Sequence, residues 1–205
     1  MPSTSDRDDD RQSVLQERRE DAVTGFLGRT PLIYRGDIEI HTKAAEWADQ
    51  GDAAPRSLFL TGAIGVGKTH TAWQATRSWL ATHITRTGSM PSIETWRSTA
   101  LFDALRPDNR DLDVRLLTAE LQNADLLYID DLAAARVSPT GWTQERLYEI
   151  FDERYINGRP CLITCDVLPG ETGDIVGDRV QSRLREMFRG GVLLLKGHDR
   201  RAVAA

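Results

Sequence analysis

The sequence contains little lysine and little cysteine. Of its 26 lysine and arginine residues only three are lysines, at positions 43, 68 and 196. The two cysteines, Cys161 and Cys165, lie in one apolar segment without a second pair nearby. A structural metal site needs about four suitable ligands, and a disulfide between two residues of one strand would be strained. We therefore expect two buried thiols rather than a metal centre or a cross-link.

Long apolar runs and a strongly basic net charge are also absent. No apolar run approaches the ~20 residues of a membrane-spanning helix, and the N-terminus, rich in Asp and Arg, does not resemble a signal peptide. We therefore expect a soluble protein of the cytoplasm. The net charge of -5 argues against a protein that coats nucleic acid along its whole surface. Residues 177–205 nevertheless carry seven bases against three acids, which allows a local basic face.

Short apolar runs alternate with helical patterns over most of the chain. A length of 205 residues suffices for one α/β domain with a core. Strands that alternate with helices predict βαβ units and a parallel sheet flanked by helices. Residues 1–12 are polar and are expected to be disordered. The predicted strands are 58–61, 92–96, 126–129, 161–164 and 192–195, and the predicted helices are 14–25, 38–50, 68–81, 99–105, 112–123, 143–156 and 178–188.

Residues 62–69 read Gly-Ala-Ile-Gly-Val-Gly-Lys-Thr, directly after a predicted strand and before a predicted helix. This run matches G-x-x-x-x-G-K-[ST], the phosphate-binding loop or P-loop. Its glycines let the backbone curl so that N–H groups converge on phosphate oxygens, and the following helix adds the positive end of its dipole. Lys68 is expected to reach the β- and γ-phosphates of ATP, and the Thr69 hydroxyl is expected to ligate Mg²⁺.

One of the few lysines of the chain stands in this loop. A compact ammonium fits inside a tight loop, where a wide planar guanidinium would not. The arginine-rich composition therefore makes Lys68 a specific indication of phosphate binding. The candidate nucleotide-binding residues are Gly62, Ala63, Ile64, Gly65, Val66, Gly67, Lys68, Thr69 and His70.

The apolar strand predicted over residues 126–129 ends in Asp130 and Asp131. Ligands of open parallel sheets bind at the C-terminal ends of the strands, so we expect these carboxylates beside the P-loop, on a strand next to the P-loop strand. Asp130 would hold Mg²⁺, directly or through water. Asp131 would polarise the attacking water as a general base.

Together these residues resemble the AAA+ ATPases, specifically the bacterial helicase loaders and transposition helpers of the DnaC/IstB type. The P-loop continues as Gly-Lys-Thr-His, similar to the G-K-T-H of that branch. Residues 152–164 are similar to its R-Y…R-P-x-I-I-T stretch, and residues 177–184 to its G-x-R-x-x-S-R-L box. The Asp-Asp pair replaces the commoner Asp-Glu and is closer to the related replication initiators.

The resemblance implies roles for three more residues. Asp166 falls at the sensor position after the fourth core strand, which contacts the γ-phosphate or the attacking water. Arg183 corresponds to the arginine finger, which reaches the ATP of a neighbouring subunit, and Arg179 is the second candidate. The two arginines are spaced i, i+4 and so share one helix face. Residues 28–205 are thus predicted to form an AAA+ domain without a C-terminal lid, and residues 1–27 a short flexible segment.

A contact with single-stranded DNA is also implied by the resemblance. Members of the family bind single strands through a helical insertion after the second strand. Aromatic rings can stack on bases and arginines can follow phosphates, although Trp96 and Phe102 suit a core position as well. The candidate residues are Trp96, Arg97, Phe102, Arg106, Arg110 and Arg115.

The leading hypothesis is an AAA+ ATPase that forms homo-oligomers through its ATP site, engages DNA and loads or remodels a partner. The preferred partner is a replicative helicase. A transposition helper, which would act with a transposase, is the nearest alternative. Two further alternatives are a switch that binds ATP without hydrolysing it and a small P-loop kinase.

Overall fold

The computed structural model describes residues 4–52, 54–107, 113–135 and 141–199, and residues 4–11 by their backbone alone. Within these residues, helices and strands alternate as the sequence predicts. Three 3₁₀ turns lie at Leu32–Tyr34, Leu132–Ala134 and Pro169–Glu171. The elements are α1 Thr4–Arg29, α2 Thr42–Asp49, β1 Leu58–Thr61, α3 Lys68–Thr87, β2 Ile93–Arg97, α4 Ser98–Ala104, α5 Val114–Asn123, β3 Leu126–Asp130, α6 Trp142–Ile156, β4 Cys161–Cys165, α7 Gly173–Val176, α8 Asp178–Met187 and β5 Val192–Leu194.

The five strands form one parallel sheet in the order β2-β3-β4-β1-β5. β4 therefore lies between the P-loop strand β1 and the aspartate-bearing strand β3, and the expectation that those two are neighbours is wrong. Every residue of β4 is buried, as expected of a strand covered on both faces of a parallel sheet. Because all the strands run the same way, the ends of β1, β3 and β4 still meet at one edge of the sheet.

Successive residues of the strands face opposite layers of helices. Phe59 of β1 and Ile163 of β4 pack with residues of α4, α5, α6 and α8. Leu60 and Leu162, from the same two strands, pack with residues of α2 and α3 on the other face. The two cysteines, at the ends of β4, are buried and free as predicted.

The first helix is longer than predicted. α1 is continuous from Thr4 to Arg29, so the prediction of disorder is wrong for residues 4–12, and the predicted helix end at Gly25 is wrong as well. Ala22 and Phe26 are buried against α3, and burial on both sides of Gly25 holds the helix together across it. At the helix end, the N–H and the hydroxyl of Thr30 both donate to the Phe26 carbonyl, at 3.0 and 2.9 Å.

Other differences from the sequence expectations are small. α2 begins at Thr42 rather than at residue 38, because the His41 side chain accepts the Lys43 N–H and caps the helix. α3 continues beyond residue 81 and ends where Gly88 takes a left-handed conformation. The helical spacing of Leu147, Ile150, Phe151 and Tyr155 predicts that all four face inward, but Tyr155 is exposed. Among the described helices, none has the length and apolar character to cross a bilayer.

Arg154 of α6 is fully buried and holds three chain segments together. Its guanidinium donates to the carbonyls of Leu121 and Ala124 at the end of α5, at 2.7 and 2.8 Å. It also donates to the Pro160 carbonyl at 2.6 Å and to the Cys161 sulfur at 3.2 Å. Carbonyl groups at a helix end have no intrahelical partner, so this side chain supplies donors that the buried backbone otherwise lacks.

Replacing Arg154 with methionine keeps much of the volume but removes every donor. We expect the free energy of unfolding to fall by about 3 kcal/mol or more, because several buried carbonyls lose their partners. Urea unfolding followed by circular dichroism measures the change. The matched variant Arg115→Met, at an exposed site on α5, should stay within about 0.5 kcal/mol of the wild type. Equal losses in the two variants would contradict this role.

Candidate nucleotide-binding site

The turn between β1 and α3 has the backbone of a phosphate cradle. Gly62, Gly65 and Gly67 have φ values of 141°, 82° and 97°, which favour glycine over other residues. Gly67 precedes the first turn of α3, and its carbonyl accepts the Thr71 N–H at 2.9 Å. The N-terminus of a helix that follows such a turn presents unpaired N–H groups and a positive dipole to an anion.

Two of these glycines also lie close to the chain that follows β5. A Cβ on Gly62 would lie 2.3 Å from the Leu195 carbonyl oxygen. A Cβ on Gly65 would lie 1.9 Å from a carboxylate oxygen of Asp199. The clash at Gly62 is with backbone and excludes a side chain there, whereas at Gly65 the Asp199 side chain could move and the positive φ is what favours glycine. Among the other predicted loop residues, Val66 is buried, whereas Ala63 and Ile64 are exposed.

Three oxygen atoms hold the Lys68 ammonium at the mouth of the loop. Its Nζ lies 2.7 Å from the Gly62 carbonyl, 2.9 Å from the Ala63 carbonyl and 2.7 Å from Oδ1 of Asp166. Asp166 directly follows β4, at the sensor position that the resemblance implies. The structure thus brings two predicted site residues, one from the start of α3 and one from the end of β4, into one ion pair.

One oxygen of Asp130 accepts hydrogen bonds from three hydroxyl groups. Thr69, at the start of α3, donates at 2.9 Å, Tyr128 of β3 at 2.9 Å and Thr164 of β4 at 2.8 Å, all to Oδ1. Charged acceptors make the stronger hydrogen bonds, so the carboxylate is fixed relative to the P-loop helix. The strand that separates β1 from β3 provides one of the three donors.

Asp131 has an unusual backbone conformation for a residue that is not glycine. Its φ is 55°, in the left-handed region, which costs an ordinary residue roughly 1–2 kcal/mol and aspartate less. Its N–H donates to the Thr164 hydroxyl at 2.7 Å, and its carbonyl accepts from Ser98 at 2.5 Å. Strained backbone concentrates at functional sites, and here hydrogen bonds on both sides of the residue hold it.

Thr69 and Asp130 suit a magnesium ion that is shared with a nucleotide. Mg²⁺ in such sites takes one or two protein ligands and completes its shell with phosphate oxygens and water. A hydroxyl and a carboxylate oxygen only 2.9 Å apart, at the end of a P-loop, are donors of that kind. Within the described ranges, no group of three or more His, Cys, Asp and Glu residues could hold a metal by itself.

Burial changes the ionisation of Tyr128. Its ring is buried, and desolvation raises the pKa of the phenol well above its usual value, with the nearby Asp130 carboxylate adding to the shift. The phenol therefore stays protonated and keeps donating to Asp130. Burial likewise raises the pKa of the Cys161 and Cys165 thiols, so neither is a thiolate at neutral pH.

His70 lies beside the loop but contacts a different segment. Its Nε2 is 2.8 Å from the Gly36 carbonyl, and its ring lies against that of Tyr34. Gln74, one turn further along α3, donates to the carbonyls of Tyr34 and Gly36. These contacts fasten the chain before α2 to the P-loop helix. A nucleotide contact by His70 stays a prediction.

The two candidate finger arginines lie together on α8. The Arg179 guanidinium lies 4.0 Å and that of Arg183 5.9 Å from the centre of the same Tyr148 ring. Arg183 also pairs with Asp152 of α6, and this hydrogen bond raises the pKa of its guanidinium further. Both guanidinium groups contact the Tyr148 ring, which confirms the prediction that the two arginines share one face of the helix.

The surface predicted for DNA contact is less suited than its sequence indicates. Phe102 is buried, and the half-buried Trp96 donates its indole N–H to Glu94 at 3.0 Å. The Phe102 ring therefore belongs to the protein interior, whereas the Trp96 ring is partly open to solvent. Arg106 pairs with Asp103, whereas Arg97 and Arg115 are exposed. The candidate Arg110 lies outside the described residues.

The comparison with known families identifies this arrangement. Residues 36–193 match the family model of the bacterial DnaA ATPase domain. The chain belongs to this family. The matched stretch contains the P-loop, both aspartates and the arginine pair, so the predicted AAA+ class is confirmed. A five-stranded parallel sheet flanked by helices is the fold expected of such a DnaA-type domain.

Two curated relatives show how much of a longer protein this domain represents. The phage-like element PBSX protein XkdC of Bacillus subtilis (strain 168) is 28% identical over 75% of this chain and 55% of its own length. The chromosomal replication initiator protein DnaA of Thermomicrobium roseum is 29% identical over 75% of this chain and 30% of its own length. The chain thus spans about half of the length of XkdC and about a third of the length of this DnaA.

Solved structures of replication proteins share the fold. The DnaC helicase loader superimposes with a TM-score of 0.57 at 21% identity, over 78% of this chain and 94% of that one. A replication initiator DnaA bound to AMPPCP and single-stranded DNA gives a TM-score of 0.58 at 19% identity, over 76% of this chain and 45% of that one.

Sequence reasoning missed the hydroxyl groups that organise this DnaA-type site. Thr164 and Tyr128 lie inside predicted strands, and only the strand order shows that Thr164 reaches both aspartates. Tyr148 and Asp152 lie on the helix that faces the arginine pair. An i, i+4 spacing of Tyr148 and Asp152 on α6, matching that of the two arginines, is the one signal that could have indicated them.

The raised pKa of Tyr128 predicts how stability depends on pH. The folded pKa lies above that of the unfolded chain, about 10, so the neutral phenol's contribution is complete below pH ~10 and is lost as the pH rises further. In urea unfolding at a series of alkaline pH values, the free energy of unfolding should fall steeply with pH for the wild type. The slope should be shallower for Tyr128→Phe, by up to about 1.4 kcal/mol per pH unit. Tyr155→Phe, at an exposed ring, should keep the wild-type slope. Identical slopes for Tyr128→Phe and the wild type would refute this assignment.

Proposed function

We propose that this DnaA-type domain binds and hydrolyses ATP with Mg²⁺, at a site completed by a second copy of the chain. One observation carries the proposal. The Lys68 ammonium and the linked Thr69 hydroxyl and Asp130 carboxylate converge at the C-terminal edge of the sheet, beside a loop of glycines with positive φ. An ammonium for the phosphates, and a hydroxyl and a carboxylate for Mg²⁺, are the groups that position and neutralise a triphosphate for phosphoryl transfer.

In this proposal the loop backbone, residues 62–69, holds the phosphates, and Lys68 exchanges its contact with Asp166 for the β- and γ-phosphates. Thr69 and Asp130 would hold the magnesium ion, which when bound neutralises charge on the phosphate oxygens. The hydroxyls of Tyr128 and Thr164 keep the Asp130 carboxylate turned toward Thr69. The AMPPCP in the structurally similar DnaA supports ATP as the nucleotide.

Asp131 acts as the general base, and Asp166 positions the water or senses the γ-phosphate. The water oxygen bonds to the γ-phosphorus, the bond to the β–γ bridging oxygen breaks, and the proton of the water passes to Asp131. The hydrogen bonds to the backbone of Asp131 fix the residue before any substrate arrives. Preorganised groups of this kind lower the barrier because they need no rearrangement during the reaction.

Arg183 is the proposed finger, with Arg179 as the second candidate. Both lie on α8 beside Tyr148, with Arg179 exposed and Arg183 partly exposed, so a neighbouring molecule can reach this face of the helix. A guanidinium from a second copy would stabilise the charge that develops on the transferred phosphoryl group. The site would then be complete only in a homo-oligomer.

The proposed cellular role is to load or remodel a replicative helicase on DNA, in the cytoplasm. The fold shared with the DnaC helicase loader and with the initiator DnaA supports a part in replication. A transposition helper acting with a transposase remains the nearest alternative. A small P-loop kinase would need no residue from a neighbouring molecule.

A switch that binds ATP without turnover is the second candidate function. The observation that favours it is the side chain of Asp131, which is one methylene shorter than glutamate and sits on a backbone fixed by Thr164 and Ser98. A base that cannot approach the water would leave ATP bound as a link between subunits. Turnover by the wild type decides between the two functions.

Mixing two inactive variants tests the composite site. Lys68→Ala removes phosphate binding and Arg183→Ala removes the finger, so each alone should lose at least about 100-fold of the ATP turnover. A mixture forms hybrid sites with an intact P-loop and an intact finger, and should recover part of the wild-type rate. Phosphate release is measured with single-stranded DNA present.

The control is Arg185→Ala, an exposed arginine of the same helix outside the cluster, which should keep wild-type turnover. A mixture no faster than the sum of its two parts would exclude the composite site. Wild-type turnover no higher than that of Lys68→Ala would favour the switch, and transfer of phosphate to a small molecule would favour the kinase.

A further inference from the structure

Three side chains of α6 form a stripe that faces the arginine pair of α8. Tyr148, Asp152 and Tyr155 are spaced i, i+4 and i+7, so they lie on one face of their helix. The guanidinium of Arg183 lies 5.9 Å from the centre of the Tyr148 ring and 5.1 Å from the centre of the Tyr155 ring. It also forms an ion pair with the Asp152 carboxylate. These three residues, the α6 stripe, therefore all contact Arg183.

The acid of the α6 stripe treats the two arginines differently. Nε of Arg183 donates to Oδ1 of Asp152 at 2.5 Å. Arg179 lies over the Tyr148 ring, with its guanidinium 4.0 Å from the ring centre, and within the described part of the chain no carboxylate forms an ion pair with it. A cation over a ring has no single donor–acceptor direction, whereas a charge-assisted hydrogen bond is directed. The orientation of Arg183 is therefore defined more closely than that of Arg179.

The nitrogen that donates to Asp152 decides which part of the guanidinium can meet another acceptor. Nε is the guanidinium nitrogen nearest the helix, and Nη1 and Nη2 form the end of the side chain. A hydrogen bond from Nε leaves that end outside the ion pair with Asp152, and a guanidinium binds a phosphate through two parallel N–H groups. The side chain of Arg183 is 31% exposed. A phosphate group of a second molecule can therefore approach it while the ion pair stays intact.

A fixed arginine loses less freedom when it binds than a mobile one does. Arginine has a long side chain with a large rotamer entropy, and a contact made by an unrestrained side chain must supply the free energy that orders it. Groups that are already in place stabilise a transition state without this cost. A displacement of about 1 Å from the productive geometry can slow a reaction by about 10²-fold. A carboxylate that sets the direction of Arg183 can therefore change the rate without touching the nucleotide.

We propose that Asp152 is a positioning residue for Arg183, and that it makes Arg183 rather than Arg179 the residue that reaches the nucleotide of a second copy. The inference rests on the proposed function, because a finger acts only at a composite ATP site. Asp152 holds Nε, while the terminal nitrogens of Arg183 meet the γ-phosphate across the interface. Tyr148 and Tyr155 border the same guanidinium and limit its movement to either side.

A double variant tests whether Asp152 acts through Arg183. Phosphate release at saturating ATP and Mg²⁺ should be about tenfold or more slower for Asp152→Ala than for the wild type, with the KM for ATP within about twofold because the P-loop is intact. Asp152→Ala combined with Arg183→Ala should be no slower than Arg183→Ala alone. Asp152→Asn keeps an acceptor oxygen without the charge and should lose less than Asp152→Ala. The matched control Glu153→Ala, at the exposed acid next to Asp152, should keep wild-type turnover.

Mixed variants show on which side of the composite site Asp152 acts. Lys68→Ala subunits keep a positioned finger and Asp152→Ala subunits keep a P-loop, so their mixture should exceed the sum of its two parts by about threefold or more. A mixture of Asp152→Ala with Arg183→Ala has no positioned finger at any site and should gain nothing. A subunit that fails to fold restores turnover in neither mixture, so recovery with Lys68→Ala separates a positioning role from a loss of structure.

The possible failures are distinct. Wild-type turnover that depends on Arg183 and not on Asp152 would overturn the positioning role and leave the proposed function intact. Losses that multiply in the double variant would overturn it as well, because Asp152 would then act independently of Arg183. A loss in Arg179→Ala without one in Arg183→Ala would assign the finger to the other arginine. Wild-type turnover no higher than that of Lys68→Ala would refute the proposed function, and this inference with it.

Discussion

One carboxylate oxygen, Oδ1 of Asp130, joins the parts of the candidate site. It accepts hydrogen bonds from hydroxyl groups of α3, β3 and β4. The P-loop helix α3, the strand β3 that carries the aspartates and the strand β4 are therefore joined at one atom. β4 pairs with β1 and with β3 through its backbone, and the Thr164 side chain adds a contact to Asp130 at this edge. The Thr164 hydroxyl also accepts the Asp131 N–H, which links the proposed metal ligand to the proposed base.

Charged side chains hold the chain together at both edges of the sheet. At the P-loop edge, Asp166 and the loop carbonyls hold the Lys68 ammonium. At the opposite edge, Arg154 satisfies buried carbonyls while Arg56 and Arg159 remain without carboxylate partners among the described residues. α6 and α8 run between the two edges and hold the finger candidates.

Much of the fold was predictable because it depends on local patterns. The strand-loop-helix around Lys68 and the acids that end β3 follow from residue order alone. The strand order does not, since every inner strand of a parallel sheet is equally apolar, and so Thr164 was missed and β3 was placed next to β1. The exposure of Tyr155 was missed because helical periodicity identifies a stripe and not its limits. Burial of Phe102 likewise depends on tertiary packing, which no spacing of aromatic and basic residues encodes.

The central claim is that a nucleotide is held by the P-loop with magnesium on Thr69 and Asp130. Equilibrium dialysis of the wild type and of Asp130→Asn with ATP, with and without Mg²⁺, tests this claim most directly. The amide oxygen of Asp130→Asn can still accept hydrogen bonds from the three hydroxyl groups. The account predicts that the wild type retains ATP more tightly with Mg²⁺, and that Asp130→Asn binds equally without the metal but loses most of the gain from it. No retention of ATP by the folded wild type, or the same magnesium dependence in both proteins, would contradict it.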